Sequence, residues 1–411
     1  MKVTKERNNG ITLIALVITI IVLLILAGVT IVTLTGDNGI LKKVGDARNN
    51  NEKATEKEKI QAEVMGSYDL TGKLDVRETV ENIRNNIKDV KTVVATENNF
   101  PVRVTYNNDH SYQVKSNGKV NSIYVDDNYI AVIPDGFTVS NTEGEKSIKN
   151  GLVVKDHSEN EWIWIPVSSS DLQLMYTENS AGWQMSKREV TTNYKTIGVS
   201  LQGRTLDRTN PGSTGGYREP DVVTSLDSDD NNRKTAGFLE SDGTTASSIV
   251  VMATKLKDDY KNMIDSIKEN GGFYVGRYEL GKDQGGTPQE KPGPVMNHTK
   301  WYNLYNACKY FSGGDIESRM IWGCQWDQIC RFLNQSGEKV PINDSRAYGN
   351  YENSTGNAKN YNGKNNYDNT TGRNNAWKAN NIYDIAGNCW EWTQEAYGSN
   401  GRAIRGRMLC K

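Results

Sequence analysis

Side chains capable of chemistry crowd into one stretch near the end of the chain, Ile382-Tyr-Asp-Ile-Ala-Gly-Asn-Cys-Trp-Glu-Trp392. Two carboxylates, Asp384 and Glu391, stand seven residues apart around Ala386-Gly387-Asn388. Hard oxygen ligands spaced around a glycine-containing turn can converge on a cation, with main-chain carbonyls completing the shell, which is the chemistry calcium favours. A plainer use of the same residues has Asp384 capping a turn and Glu391 pairing with an arginine such as Arg405. Trp390 and Trp392 are expected in the core, where each indole N–H needs a partner.

Other reactive groups are sparse. His110, His157 and His298 are scattered without ligand spacing, and no phosphate-cradling glycine loop or G-x-S-x-G elbow occurs. The five cysteines, Cys308, Cys324, Cys330, Cys389 and Cys410, fall in the last third with no C-x-x-C pair. One or two disulfides and buried free thiols both remain open. Lys and Arg number 49 against 50 Asp and Glu, so the basic footprint of a nucleic-acid partner is missing. Tyr (20) and Trp (9) outnumber Phe (6), which suits binding surfaces and wet, loop-rich cores alike.

The elements that must position these groups begin with the N-terminus. A chain of 411 residues suggests two or three domains. Residues Ile11 to Leu34 are nearly all apolar and carry no charge. A run of about 20 such residues spans a bilayer, so a transmembrane helix is expected over 11–35. Lys2, Lys5 and Arg7 precede it, which places the protein in the cell membrane as a single-pass chain with its C-terminal part extracytoplasmic. Lys42 and Lys43 just beyond the span pull against that orientation.

A polar helical stem is expected over 36–70, after a break at Gly36-Asp-Asn-Gly39. In 71–128, Val76, Val80, Ile83 and Ile87 mark one helical stripe. Alternating runs at Val102–Tyr106, Ser111–Val114 and Val120–Val125 predict strands, with Asn117-Gly118 as a hairpin turn. This small α+β module reads equally as a pilin-like head or a generic spacer. From 129 to 411 the chain is loop-rich. Strands are expected at Glu161–Pro166 and Gly272–Leu280, and helices at Trp301–Phe311 and Trp326–Leu333. Tyr348 to Asn381 reads as a long Asn/Tyr/Gly-rich surface loop, either a contact surface or a solvated insertion.

Two resemblances bear on these readings. Lys5-Glu-Arg-Asn-Asn-Gly10 followed by Ile11-Thr-Leu-Ile-Ala15 resembles the type IV prepilin N-terminus. The resemblance implies a leader over 1–10, cleavage by a prepilin peptidase after Gly10, and Ile11 as the methylated new N-terminus. Ala15 stands where the family has the glutamate used in filament assembly. Further on, Trp162-Ile-Trp-Ile-Pro166, Phe273-Tyr-Val-Gly-Arg-Tyr-Glu279, Trp301-Tyr302, Gln325-Trp326 and above all Ile382–Trp392 resemble the formylglycine-generating enzyme, or sulfatase-modifying factor, family. That resemblance implies a C-type-lectin-like fold. It also implies calcium held by the side chains of Asp384 and Glu391 and the carbonyls of Gly387 and Cys389.

The family's oxidases bind copper through two closely spaced cysteines after an Arg-Gly-Gly-Ser motif. Here the segment reads Arg405-Gly-Arg-Met-Leu-Cys-Lys411, with Cys410 alone, so the domain is expected to be truncated and copper chemistry absent. The fold class expected is α+β: a transmembrane pilin-like helix, a small α+β spacer and a lectin-like domain. The function expected is a non-catalytic, membrane-anchored display of that domain to a surface ligand, protein or glycan. The alternatives are an oxidative enzyme acting on a Cys-containing protein and a minor pilin.

Overall fold

The computed structural model describes Ile20 and residues 40–175, 177–179, 182–184, 217–335, 345–351, 354, 370–397 and 400–405. Small antiparallel sheets and helices share the chain, 26% strand and 36% helix. One part of the expectation is corrected: among the described residues no helix is long and apolar enough to cross a membrane. The single-pass, cell-membrane placement falls with it. The apolar run Ile11–Leu34, with Gly10 and Ile11, lies outside the described residues.

The chain divides into two compact units, 1–122 and 123–411. In the first, the helix Ile40–Met65 is rich in Lys and Glu, and Ile60 and Val64 near its end are fully buried. They join a core with Ile83 of the helix Val76–Asn86 and with Val102, Val104, Tyr112 and Val114 of an antiparallel sheet. Asp75 caps the second helix by accepting from the Arg77 and Glu78 amides at 2.8 and 2.9 Å. The sheet runs Val90–Ala95, Val102–Tyr106, Ser111–Val114, with Val120–Asp126 beginning beside it and carrying the chain into the second unit.

The second unit is built on a four-stranded antiparallel sheet ordered Gly272–Gly276, Glu161–Pro166, Val153–Lys155, Thr138–Val139. Ile163 and Ile165 bury one face against Ile329 and Leu333 of the helix Gly323–Gln335 and against Ile382, Ile385 and Ala386. A second core gathers around the helix Ile249–Asn270, where Met252, Leu256, Tyr260 and Ile264 meet Trp301, Tyr305 and Trp322. Ser248 starts that helix, its hydroxyl accepting from the Val251 amide at 3.3 Å, and Gly271 ends it in the left-handed region at φ 75°. Phe273 touches both cores and joins them.

The strands Glu391–Tyr397 and Gly401–Arg405 form a second antiparallel sheet with Tyr217–Arg218. The buried Arg277 guanidinium ties strands together, donating to Glu161 at 2.7 Å and Glu145 at 2.6 Å. With Lys155 and the Tyr278 hydroxyl also bonded to it, Glu161 stays below the ordinary carboxylate pKa despite its burial.

Candidate functional site

The block Ile382–Trp392 enters through a tight hairpin. Lys378–Ala379 pairs with Ile382–Tyr383, and Asn380 and Asn381 at the tip have φ of 46° and 66°. Two left-handed residues make this the turn whose twist matches antiparallel strands. The Asn381 amide then clasps distant backbone, donating to the carbonyls of Gly144 at 3.0 Å and Gly151 at 2.8 Å.

Asp384 follows in the left-handed region at φ 55°, a conformation that Asp tolerates better than most residues. It is fully buried, and both its oxygens accept hydrogen bonds. Asn350 donates to Oδ1 at 2.9 Å; the Thr371 hydroxyl and the Gly372 amide donate to Oδ2 at 2.8 and 3.1 Å. The plainer reading of Asp384, as an organiser of turns, therefore accounts for its geometry. Beyond it, Gly387 has φ 119° and runs alongside Asn350, whose amide and carbonyl bond Ala386 and Asn388 on either side.

The carboxylate that reaches the Asn388-Cys389 step is Glu279, which follows the strand Gly272–Gly276. It accepts from the Asn388 side-chain amide and from the Cys389 backbone amide, the latter at 3.0 Å. Glu391 opens the next strand, partly buried and without a hydrogen-bond partner among the described residues. Glu290 is buried too, and its Oε2 has no partner. Arg405 lies opposite Glu391 in the sheet, yet its guanidinium pairs with Glu395, and both side chains are fully buried. The ion pair seen for Arg405 is thus with Glu395, where the plainer reading of the sequence has Glu391.

Burial raises all four carboxylates, Glu279, Glu290, Asp384 and Glu391, and three of them also feel a neighbouring carboxylate. Burial first, then Asp384 and Glu391, raise Glu279 well above the usual carboxylate range; burial and Glu391 do the same to Glu290. Burial raises Asp384, against the pull of its three donors. Glu391 is pushed up to about 8, by burial and then by Asp384. Holding charge here requires protons or a cation.

The pH dependence follows in sign. Glu391 binds its proton more tightly in the folded chain than at its ordinary value of 4.5, so its contribution to stability is full below that value. It is lost as pH rises towards about 8. Urea midpoints in a chelating buffer should fall between pH 5 and pH 9, and Glu391→Gln should flatten the fall. A midpoint that rises over this range in the parent, or an unchanged slope in the variant, would refute this.

The thiols tell a different story. Cys308, Cys324, Cys330 and Cys389 are thiols outside any disulfide among the described residues, and Cys410 lies outside the described residues. Cys308 and Cys389 are both pushed up to about 12, by burial and by Glu290 and Glu279 respectively. Thiols so held are poor nucleophiles and poor copper ligands.

The two tryptophans separate. Trp392 packs against the second core, but Trp390, expected in the core, is 46% exposed. It lies just before the strand Glu391–Tyr397, whereas Trp377, at the end of the short 3-10 turn Asn375–Trp377, is buried.

As a cation centre, the donor set is right in kind and incomplete in shape. Every donor is a hard oxygen, and Glu391, Glu290 Oε2 and Asn350 Oδ1 have oxygens to spare. Yet among the described residues no three Asp, Glu, His or Cys side chains gather closely enough to hold a metal between them. No protein family, curated protein or solved structure matches this chain.

Proposed function

We propose that the second unit is a non-catalytic ligand-binding module of C-type-lectin-like build, with calcium as the counter-charge of its acidic centre. The observation that carries the reading is the set of four carboxylates, Glu279, Glu290, Asp384 and Glu391, all raised by burial, with Asp384 and Glu391 raising Glu279, Glu391 raising Glu290 and Asp384 raising Glu391. Glu391 would supply the free carboxylate. The carbonyls of Gly387 and Cys389 would complete the shell, and Asp384 and Glu279 would add charge from hydrogen-bonded positions. Bound calcium would supply positive charge where no described cationic side chain acts on these carboxylates. Trp390, exposed beside this centre, suits contact with a surface ligand, a glycan or a protein, because it offers a large rigid face with a polar edge. An oxidase reading draws no support from the two raised thiols.

Calcium titration of the full chain tests this. Saturable binding is expected, with about 2.7 kcal/mol of added stability at one hundred times the dissociation constant. Glu391→Gln should weaken binding at least tenfold. An unchanged unfolding transition in millimolar calcium would refute the cation, and with it the module as described.

A further inference from the structure

In the second unit, an open cavity of about 300 Å3 is lined by Phe238, Lys255, Asp259, Lys309, Glu317 and Arg319 among others. Its charges do not cancel: three cationic side chains face two carboxylates. Arg319 uses both carboxylates, pairing with Asp259 at 3.1 Å and Glu317 at 2.6 Å. Lys255 donates to the Leu239 carbonyl at 3.1 Å. The Lys309 ammonium makes no hydrogen bond or ion pair among the described residues, though it feels the charge of Asp259. Its ammonium sits instead over the rings of Tyr305 at 4.3 Å and Phe238 at 4.9 Å.

That seat is rigid. Tyr305 is stacked between Phe238 and Trp301, with centroids 5.4 and 4.8 Å apart. Aromatic faces hold a cation without neutralising it. An ammonium fixed on such a face, at the wall of a cavity, keeps its donors for something else. A cavity of this size lies at the lower end of those that bind small molecules.

We infer that this cavity is a binding site for a small organic carboxylate, whose single negative charge meets the Lys309 ammonium. The excess of one positive charge matches a monoanion, and Phe238 adds an apolar part to the wall for the rest of the ligand. Divalent inorganic phosphate would leave a charge unmatched and the wall unused.

The test uses the full chain in a chelating buffer, so that it is independent of the calcium centre, with benzoate and inorganic phosphate as probes followed by NMR or calorimetry. Benzoate should bind saturably, at least tenfold more tightly than phosphate. Lys309→Met keeps most of the stem and removes the charge; it should weaken benzoate at least tenfold with an unchanged unfolding midpoint. Lys309→Arg should retain more of the affinity than Lys309→Met, and Lys255→Met should cost a smaller factor without touching the aromatic seat. Absence of saturable benzoate binding, equal binding by Lys309→Met, or phosphate binding as tightly as benzoate would each overturn the proposal.

Discussion

Asp227→Ala is expected to cost the second unit about 3–5 kcal/mol, because it leaves a buried guanidinium without its counter-charge. Arg402 and Asp227 pair with side chains 1% and 0% exposed. Asp227 also accepts from the Tyr302 hydroxyl at 2.8 Å and the Val223 amide at 2.6 Å. Arg402 holds the carbonyls of Asp221 and Gln394 at 3.0 and 3.1 Å and lies over the Trp301 ring at 4.3 Å. The substitution breaks three of these contacts and buries a bare charge. Chemical denaturation should show the loss, and the double variant with Arg402→Met should recover part of it, since it removes the orphan. A cost under about 1 kcal/mol, or strict additivity in the double variant, would mean that water reaches the pair.

The second large effect is expected at Gly387, and its cause is steric. A Cβ there would overlap the Asn350 carbonyl oxygen and lie 2.5 Å from the carbonyl carbon, at a φ of 119° that side chains rarely adopt. Relief requires parting the two backbones, which breaks the bonds from Asn350 to Ala386 and from Asn388 to Asn350, at 2.8 and 3.0 Å. Backbone strain and overpacking together put the cost of Gly387→Ala at about 3 kcal/mol or more. Gly313, with open space around its Cβ position, is the control and should lose little when made alanine. If both variants have the same urea midpoint, the close approach at Gly387 does not exist in solution.

Where one periodicity dominates, the elements were legible in the residues. The strands Val102–Tyr106, Ser111–Val114 and Glu161–Pro166 lie where alternation places them. The helical stripe expected from Val76 through Ile87 stops at Asn86, because Ile87 turns to extended backbone and feeds the strand Val90–Ala95. The helix Ile249–Asn270 is absent from the expected elements. Yet Met252, Leu256, Tyr260, Ile264 and Ile267 share one face, with Ser248 and Gly271 as caps.

The candidate site was legible only in part. Asp384, Gly387 and Glu391 announce themselves by type and spacing; Asp384 and Glu391 lie near enough for one charge to raise the other, while Gly387 runs against Asn350. Glu279 and Glu290 do not, because no local pattern says that a glutamate after a strand will end buried beside a turn about 110 residues away. Asp227 and Arg402 are 175 positions apart, and only the tertiary fold reveals their pairing. Trp390 misleads because a Trp-x-Trp pair reads as two residues on one face of a strand, whereas the strand begins only at Glu391 and leaves Trp390 outside it.

The Asn381 clasp carries a consequence for the order of events during synthesis. Its partners lie 230 to 237 residues upstream, and Asp384, Asn388 and Cys389 draw theirs from Asn350, Thr371 and Glu279. Nearly the whole second unit must have left the ribosome before the acidic turn can close. Contacts this distant along the chain are made late and slowly. Until then the upstream strands wait with their inner faces bare, and a nascent chain in that state is one that holding chaperones would bind.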